Sequence, residues 1–74
     1  MTTKVPTVEI ALGDLPKTLR HLRKEKKLTL KEVAADIGMS HSFISDIERG
    51  RTKPSLDTIY KLAKRYHTWI KVTF

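Results

Sequence analysis

The chain has no cysteine among its 74 residues, only three prolines and three glycines, and few aromatics: one tryptophan, two tyrosines and two phenylalanines. Without cysteine there is no disulfide framework and no thiolate metal site, so nothing covalent can supplement a small core. His21, His41 and His67 lie far apart. His21 and His67 are expected on the surface with no partner at ligand spacing, so neither a metal nor any other cofactor is expected. No apolar run approaches the roughly 18–20 residues of a membrane span, and the start Met1-Thr2-Thr3-Lys4-Val5-Pro6 lacks the apolar stretch of a secretory signal. The expected compartment is the cytoplasm. Acidic residues are scarce, 8 Asp+Glu against 15 Lys+Arg, giving a net charge of +7. On so small a surface that surplus favours a polyanionic partner, with an anionic membrane as competitor.

What is present is globular in character: 39% hydrophobic and 31% charged residues. A chain of this length buries only about 60–65% of its unfolded surface. One small core is expected, hence a single domain over 1–74. It leaves no room for a separate sensor, so any signal is expected to come through a partner, competition on the bound polymer or the protein's own concentration. The basic residues fall in two groups, Lys17, Arg20, Arg23, Lys24, Lys26 and Lys27, then Arg49, Arg51, Lys53, Lys61, Lys64 and Arg65. Between Leu28 and Glu48 only Lys31 is basic, against Glu32, Asp36, Asp46 and Glu48. The middle is therefore not a plain electrostatic surface. Lys17, Arg20 and Lys24 either approach the phosphates of a polyanionic partner or solubilise the first helix, and solubility is the expected role of most of them.

Residues 7–12 alternate polar and apolar and meet Gly13-Asp14, which predicts a strand and a turn. Asp14 is placed to cap a helix over about 15–26, whose first turn tolerates Pro16 and whose Leu15, Leu19 and Leu22 form one apolar stripe. Thr29-Leu30-Lys31-Glu32 has capping-box spacing and opens a second helix with Val33, Ala34 and Ile37 on its buried face. Gly38 ends that helix by accepting left-handed backbone. Ser40 caps a third helix over about 41–49, which offers Ile44 and Ile47 to the core and stops at Gly50. Pro54-Ser55 starts a fourth, with Leu56, Ile59, Leu62, Ala63 and Tyr66 as its apolar face. Residues 69–74 alternate again in β-branched and aromatic types and predict a second strand. Phe43 is expected to pack on the rim of the motif, although a thymine methyl is within its chemistry.

Two short helices joined by Gly38-Met39-Ser40 match a helix-turn-helix, whose second helix can enter the major groove of DNA. The free face of that helix carries His41, Ser42, Ser45, Asp46 and Arg49; its Ser, Asp and His side chains are short and can hydrogen-bond to base edges. At Leu22-Arg23, Leu28-Thr29, Glu32-Val33-Ala34, Ile37-Gly38, Ser40, Ile44-Ser45, Ile47-Glu48-Arg49-Gly50, Pro54-Ser55-Leu56 and Leu62-Ala63 the sequence resembles the Xre/Cro, lambda-repressor-like family over about residues 15–66. The resemblance implies a mainly α fold, a lambda-repressor-like bundle of four helices, here with a short candidate strand at each terminus. It further implies binding of double-stranded operator DNA, usually as a dimer. Carried over position by position, it places His41, Ser42, Ser45 and Asp46 at base-reading sites and Arg49, Arg51 and Lys53 near phosphates, with Thr29 and Lys31 at the start of the second helix beside them. It also implies that Arg23 and Glu48 form a structural ion pair. Members often carry Gln where this chain has Leu30, and commonly continue into a fifth helix where this chain has only eight residues after Tyr66.

The expected function is that of a sequence-specific transcriptional regulator, a repressor acting as a homodimer on a palindromic operator. The dimer is expected to use the terminal strands, through Trp69, Ile70, Val72 and Phe74; residues 7–12 and 69–74 pair within a monomer, or the C-terminal strand pairs with its symmetry mate. The alternative is an antitoxin that binds a small toxin protein and autoregulates its operon. An enzyme is not expected, because no acidic cluster, His pair, nucleophile constellation or phosphate-cradling loop is present.

Overall fold

The computed structural model describes residues 7–73. Strand β1 (Thr7–Ala11) leads through a 3-10 turn (Leu12–Asp14) into α1 (Leu15–Glu25), followed by α2 (Leu30–Ile37), α3 (His41–Glu48), α4 (Leu56–Arg65) and strand β2 (Trp69–Thr73). The expected bundle of four helices with a strand at each end is thus formed, with ends shifted by one residue at β1, α1 and α3. Asp14 occupies the residue before α1, but its side chain makes no cap hydrogen bond. The chain enters α1 directly from the 3-10 turn, and Asp14 has helical rather than extended backbone, φ −95° and ψ −3°. An N-cap side chain folds back onto its helix from an extended backbone, which Asp14 lacks.

Of the two arrangements considered for the terminal strands, the chain takes the intramolecular one: β1 and β2 pair in parallel, Thr7 opposite Trp69 and Ala11 opposite Thr73. Parallel neighbours need a long crossover, and here all four helices form it. Alternation along the strands turns Val8, Ile10, Ile70 and Val72 toward the helices, while Glu9 and Lys71 meet on the outer face at 3.5 Å. The core joins Ile10 to Leu15, Leu19 and Leu22 of α1, Val33 and Ala34 of α2, Ile44 and Ile47 of α3, and Ile59, Leu62 and Tyr66 at α4.

Leu56 departs from its expected place on the buried face of α4, being 77% exposed. It is the first residue of the helix and lies at the edge of the arc spanned by Ile59, Leu62, Ala63 and Tyr66. Thr58 takes a buried place instead, its hydroxyl 3.0 Å from that of Ser55 and its N–H donating to the same Ser55 oxygen. His21 is exposed as expected but does have a partner, Glu25, one helical turn away at 3.5 Å. No group of three potential metal-ligating side chains converges among the described residues, and no helix is long and apolar enough to cross a membrane.

Tyr66 is one of the largest fully buried side chains, and its hydroxyl makes no hydrogen bond within the described chain. Burial pushes its pKa up to about 12, with the nearby Glu48 carboxylate adding to the shift. The unfolded chain therefore ionises this phenol more easily, near its ordinary value of about 10. The stability it contributes is complete below that pH and is lost as pH rises toward about 12. Tyr66→Phe is expected to leave the neutral-pH denaturant midpoint equal or higher, since an unpaired buried hydroxyl costs about 1–3 kcal/mol. It should also flatten the alkaline fall in stability. Denaturation across pH checks both, and a variant markedly weaker at neutral pH contradicts the assignment.

Candidate nucleic-acid interface

Local chemistry sets the angle between α2 and α3. Thr29 Oγ1 accepts from the Glu32 N–H at 3.1 Å, while Glu32 Oε1 accepts from the Thr29 N–H at 2.9 Å, so the capping box is complete. These bonds hold the Glu32 carboxyl below the usual carboxylate range, the bond from the Thr29 N–H contributing most. Gly38 has φ +71°, left-handed backbone that a side chain would strain, and the following N–H of Met39 donates to Ala34 O at 2.9 Å. Ser40 then accepts from the Phe43 N–H at 3.2 Å and starts α3. Helix α2 ends and α3 begins within three residues, Gly38, Met39 and Ser40. Phe43 is half-buried and packs on the core, as does Leu30.

Ile44 and Ile47, each 1% exposed, nail α3 to the core and decide which side faces outward. That side carries His41 and Ser42, both exposed, then Ser45 and Asp46, half-buried, and exposed Arg49, which caps the helix. Ser42, Ser45, Asp46 and Arg49 stand at i, i+3, i+4 and i+7 and share a face. Thr29 and Lys31 are exposed at the start of α2, and Arg51 and Lys53 are exposed in the turn after α3. The Thr29 N–H is taken by Glu32, which leaves only its hydroxyl proton to offer outward.

The last turn of α3 is fixed by charge. Arg23 Nε donates to Glu48 Oε2 at 2.8 Å, its Nη2 to Oε1 at 3.0 Å, and its Nη1 to the Leu28 carbonyl at 2.8 Å. The side chains are 11% and 6% exposed. The hydrogen bond to Glu48 raises the Arg23 pKa further, against the opposing effect of burial. One guanidinium thus ties α1, the loop before α2 and the end of α3, and both Glu48 oxygens are occupied.

Elsewhere the carboxylates pair away from α3: Asp36 with Arg65, Asp57 with Lys61, Glu9 with Lys71. Among the described residues no carboxylate lies within 4 Å of Lys31, Arg49, Arg51 or Lys53, and Asp46 forms no ion pair with Arg49. The outer face of α3 is therefore a short polar strip bordered by cations that have no carboxylate partner among the described residues. Of the four residues expected at a dimer contact, Trp69 is 54% exposed, while Ile70 and Val72 are half-buried against the core. Phe74 lies outside the described residues. Sequence reasoning did not single out exposed Tyr60, which joins Trp69 and the neighbouring Ala63, Lys64, His67 and Thr68 around a concavity of about 270 Å³. The signal available was its i, i+4 spacing from Leu56, off the buried stripe of α4.

Such an arrangement, a left-handed glycine turn between two capped helices with a polar outer face on the second, is a helix-turn-helix. The family model for helix-turn-helix proteins matches residues 19–68, and the chain belongs to the Xre/Cro-like branch of that family. It is 50% identical over 48 residues to the HTH-type transcriptional regulator DdrOP3 of Deinococcus deserti, which covers 65% of this chain and 37% of that protein. It is 42% identical over 45 residues to the immunity repressor protein of Bacillus phage phi105, covering 61% of this chain and 31% of that one. In structure it is similar to the restriction-modification controller protein C.AhdI from Aeromonas hydrophila, with a TM-score of 0.72, 33% identity and coverage of 77% and 86%. The regulator SinR, solved in complex with DNA, gives a TM-score of 0.68 at 29% identity, covering 73% of this chain and 87% of that one. The chain spans from about a third to just over half of the curated relatives DdrOP3, y4dJ of Sinorhizobium fredii and the 10 kDa ImmF protein of phage phi105.

Removing one partner of a buried pair leaves an uncompensated charge, whereas replacing both by apolar groups is often neutral. Glu48→Leu is therefore expected to destabilise the domain by about 3–5 kcal/mol, and Arg23→Met/Glu48→Leu to recover most of that loss. Denaturant titration of the two variants tests this. A single variant as stable as the unaltered chain contradicts a folded-state ion pair.

Proposed function

We propose that the chain binds double-stranded DNA sequence-specifically as a homodimer and regulates transcription, acting as a repressor on a palindromic operator. The observation that carries this reading is the outer face of α3: anchored from behind by fully buried Ile44 and Ile47, polar in front, and flanked by cations with no carboxylate partner among the described residues. In the mechanism this supports, α3 lies in the major groove, where His41, Ser42, Ser45 and Asp46 address base edges. Asp46, bearing a charge that phosphate repels, accepts from the cytosine amino group. Thr29 and Lys31 on one side and Arg49, Arg51 and Lys53 on the other grip the backbone. Phosphate contacts then supply most of the affinity and α3 supplies the choice of sequence. The naming of relatives as transcriptional regulators and as a phage repressor supports the regulatory role and its sign.

For the dimer, two recognition helices must reach successive major grooves about 34 Å apart. The domain measures 39 × 27 × 21 Å, the same order as that spacing. Strand β2 is paired on one edge only among the described residues, and exposed Trp69 stands on its outer face beside Tyr60. An open edge with an exposed tryptophan is the natural place for a symmetry mate.

Two variants separate the parts of the mechanism. Ser45→Ala is expected to change which operator is preferred, by about 1–3 kcal/mol at the affected base pair, while Arg51→Ala weakens specific and random duplexes alike. Selection of bound fragments from random oligonucleotides, followed by affinity measurement, reads both; equal losses on all sequences for both variants contradict the division of labour. Trp69→Glu, which alters an outward side chain and spares Ile70 and Val72, is expected to give a folded monomer in sedimentation equilibrium. A dimer that survives this change removes β2 from the interface.

A further inference from the structure

A concavity of about 180 Å³ lies between α1, the start of α2 and the last turns of α3, lined by Arg20, Arg23, Leu30, Ser45, Glu48 and Arg49. Its inner groups are already committed: Glu48 spends both oxygens on Arg23, and Arg23 also donates to the Leu28 carbonyl. Leu30 supplies an apolar wall with no hydrogen-bonding group. What remains for a ligand is the Ser45 hydroxyl and the guanidinium groups of Arg20 and Arg49. Both arginines are exposed, and among the described residues neither has a carboxylate within 4 Å.

The position of Arg20 follows from helix geometry. It stands four residues after Pro16 and three before Arg23, so the three residues share one side of α1. Arg23 is held by Glu48, and a Cβ at Gly50 would lie 3.8 Å from Pro16 Cγ. That side of α1 therefore runs along the C-terminal half of α3, and Arg20 between them is brought up to Ser45 and Arg49. Two guanidinium groups converging on one small cleft repel each other unless an anion joins them. Their planar forks suit the paired oxygens of a phosphate.

We infer that Arg20, together with Arg49, seats one backbone phosphodiester of duplex DNA beside Ser45, whose hydroxyl addresses the neighbouring bases. The inference rests on the DNA-binding reading and assigns Arg20 a role in α1 beyond carrying solubilising charge. Leu30 itself offers the cleft no hydrogen-bonding group. The two arginines supply the donors.

The test is a salt series of duplex affinity for the unaltered chain and for Arg20→Ala, Arg20→Gln, Arg20→Lys, Arg51→Ala and Lys26→Ala, the last removing an exposed cation at the end of α1. Thermal unfolding of each variant establishes that it is folded. Removing Arg20 is expected to flatten the slope of log K against log salt by about 0.9 per protein copy, on specific and random duplexes alike. Arg20→Lys should keep most of the slope, and Lys26→Ala should leave it unchanged. If Arg51→Ala flattens the slope and Arg20→Ala and Arg20→Gln do not, the phosphate seat is overturned and DNA binding stands. A loss confined to one operator sequence also overturns it, in favour of a base contact. An unaltered chain with no salt-dependent duplex binding overturns both.

Discussion

The geometry of this domain hangs on one guanidinium. Arg23 sits in α1, yet its donors reach the Leu28 carbonyl in the following loop and both oxygens of Glu48 at the end of α3. A buried ion pair adds little net stability, because desolvating both charges offsets most of their attraction. Its effect is positional. The bidentate fork admits one orientation, so the far end of α3 cannot slide or roll relative to α1 without breaking bonds that water cannot replace at such low exposure. The near end is fixed by different chemistry, the left-handed Gly38 and the Ser40 cap. A helix of eight residues held at both ends, with Ile44 and Ile47 buried between, presents its outer face rigidly.

That rigidity is what would let so modest a set of side chains serve as the proposed reading surface. Serines carry little conformational entropy, so ordering them against a partner costs less than ordering lysines. The longer, more costly cations stand at the end of the strip, Arg49, and around it, Lys31, Arg51 and Lys53, where a loose grip on phosphate would be sufficient. The acids are sorted in a complementary way. Glu48 is neutralised by Arg23 at the base of α3, Glu32 is engaged in its capping box, and Asp36, Asp57 and Glu9 pair on other faces. The net +7 of the sequence is thus displayed unevenly, with positive charge beside α3 that has no carboxylate partner among the described residues.

Most of this was legible in the sequence wherever the determining interaction is local. The capping box at Thr29 and Glu32, the glycine at 38 and the cap at Ser40 each act within three or four residues, and each forms as its spacing dictates. Features that depend on what a segment docks against were harder to read. Asp14 has the right chemistry for a cap, but the 3-10 turn before it sets a backbone that cannot use it. Leu56 belongs to an apolar pattern, yet its place at the first residue of α4 carries it past the edge of the core, and polar Thr58 is buried because Ser55 satisfies it. In the sequence Arg20 reads either as a phosphate contact or as one more solubilising charge. Only the lateral packing of α1 on α3, a contact between residues some 25 positions apart, brings it to the recognition helix.

The strands show the same limit at the longest range. Alternation alone marks 7–12 and 69–74 as strands but does not decide their partners, since an edge satisfies its hydrogen bonds equally well within a chain or between chains. The structure pairs β1 with β2 in parallel and turns Ile10, Ile70 and Val72 inward. This closes the bundle by joining its two ends, a non-local contact that a 74-residue chain with no disulfide has good reason to use. It also has a geometric consequence. Strand β2 packs on α4, α4 on α2, and α2 on α3, so a second copy bound at β2 would be connected to the recognition helix entirely through regular packed elements. The spacing between two recognition helices would then be set by the body of the domain rather than by a flexible tether. That is the condition under which a fixed half-site separation can be read at all.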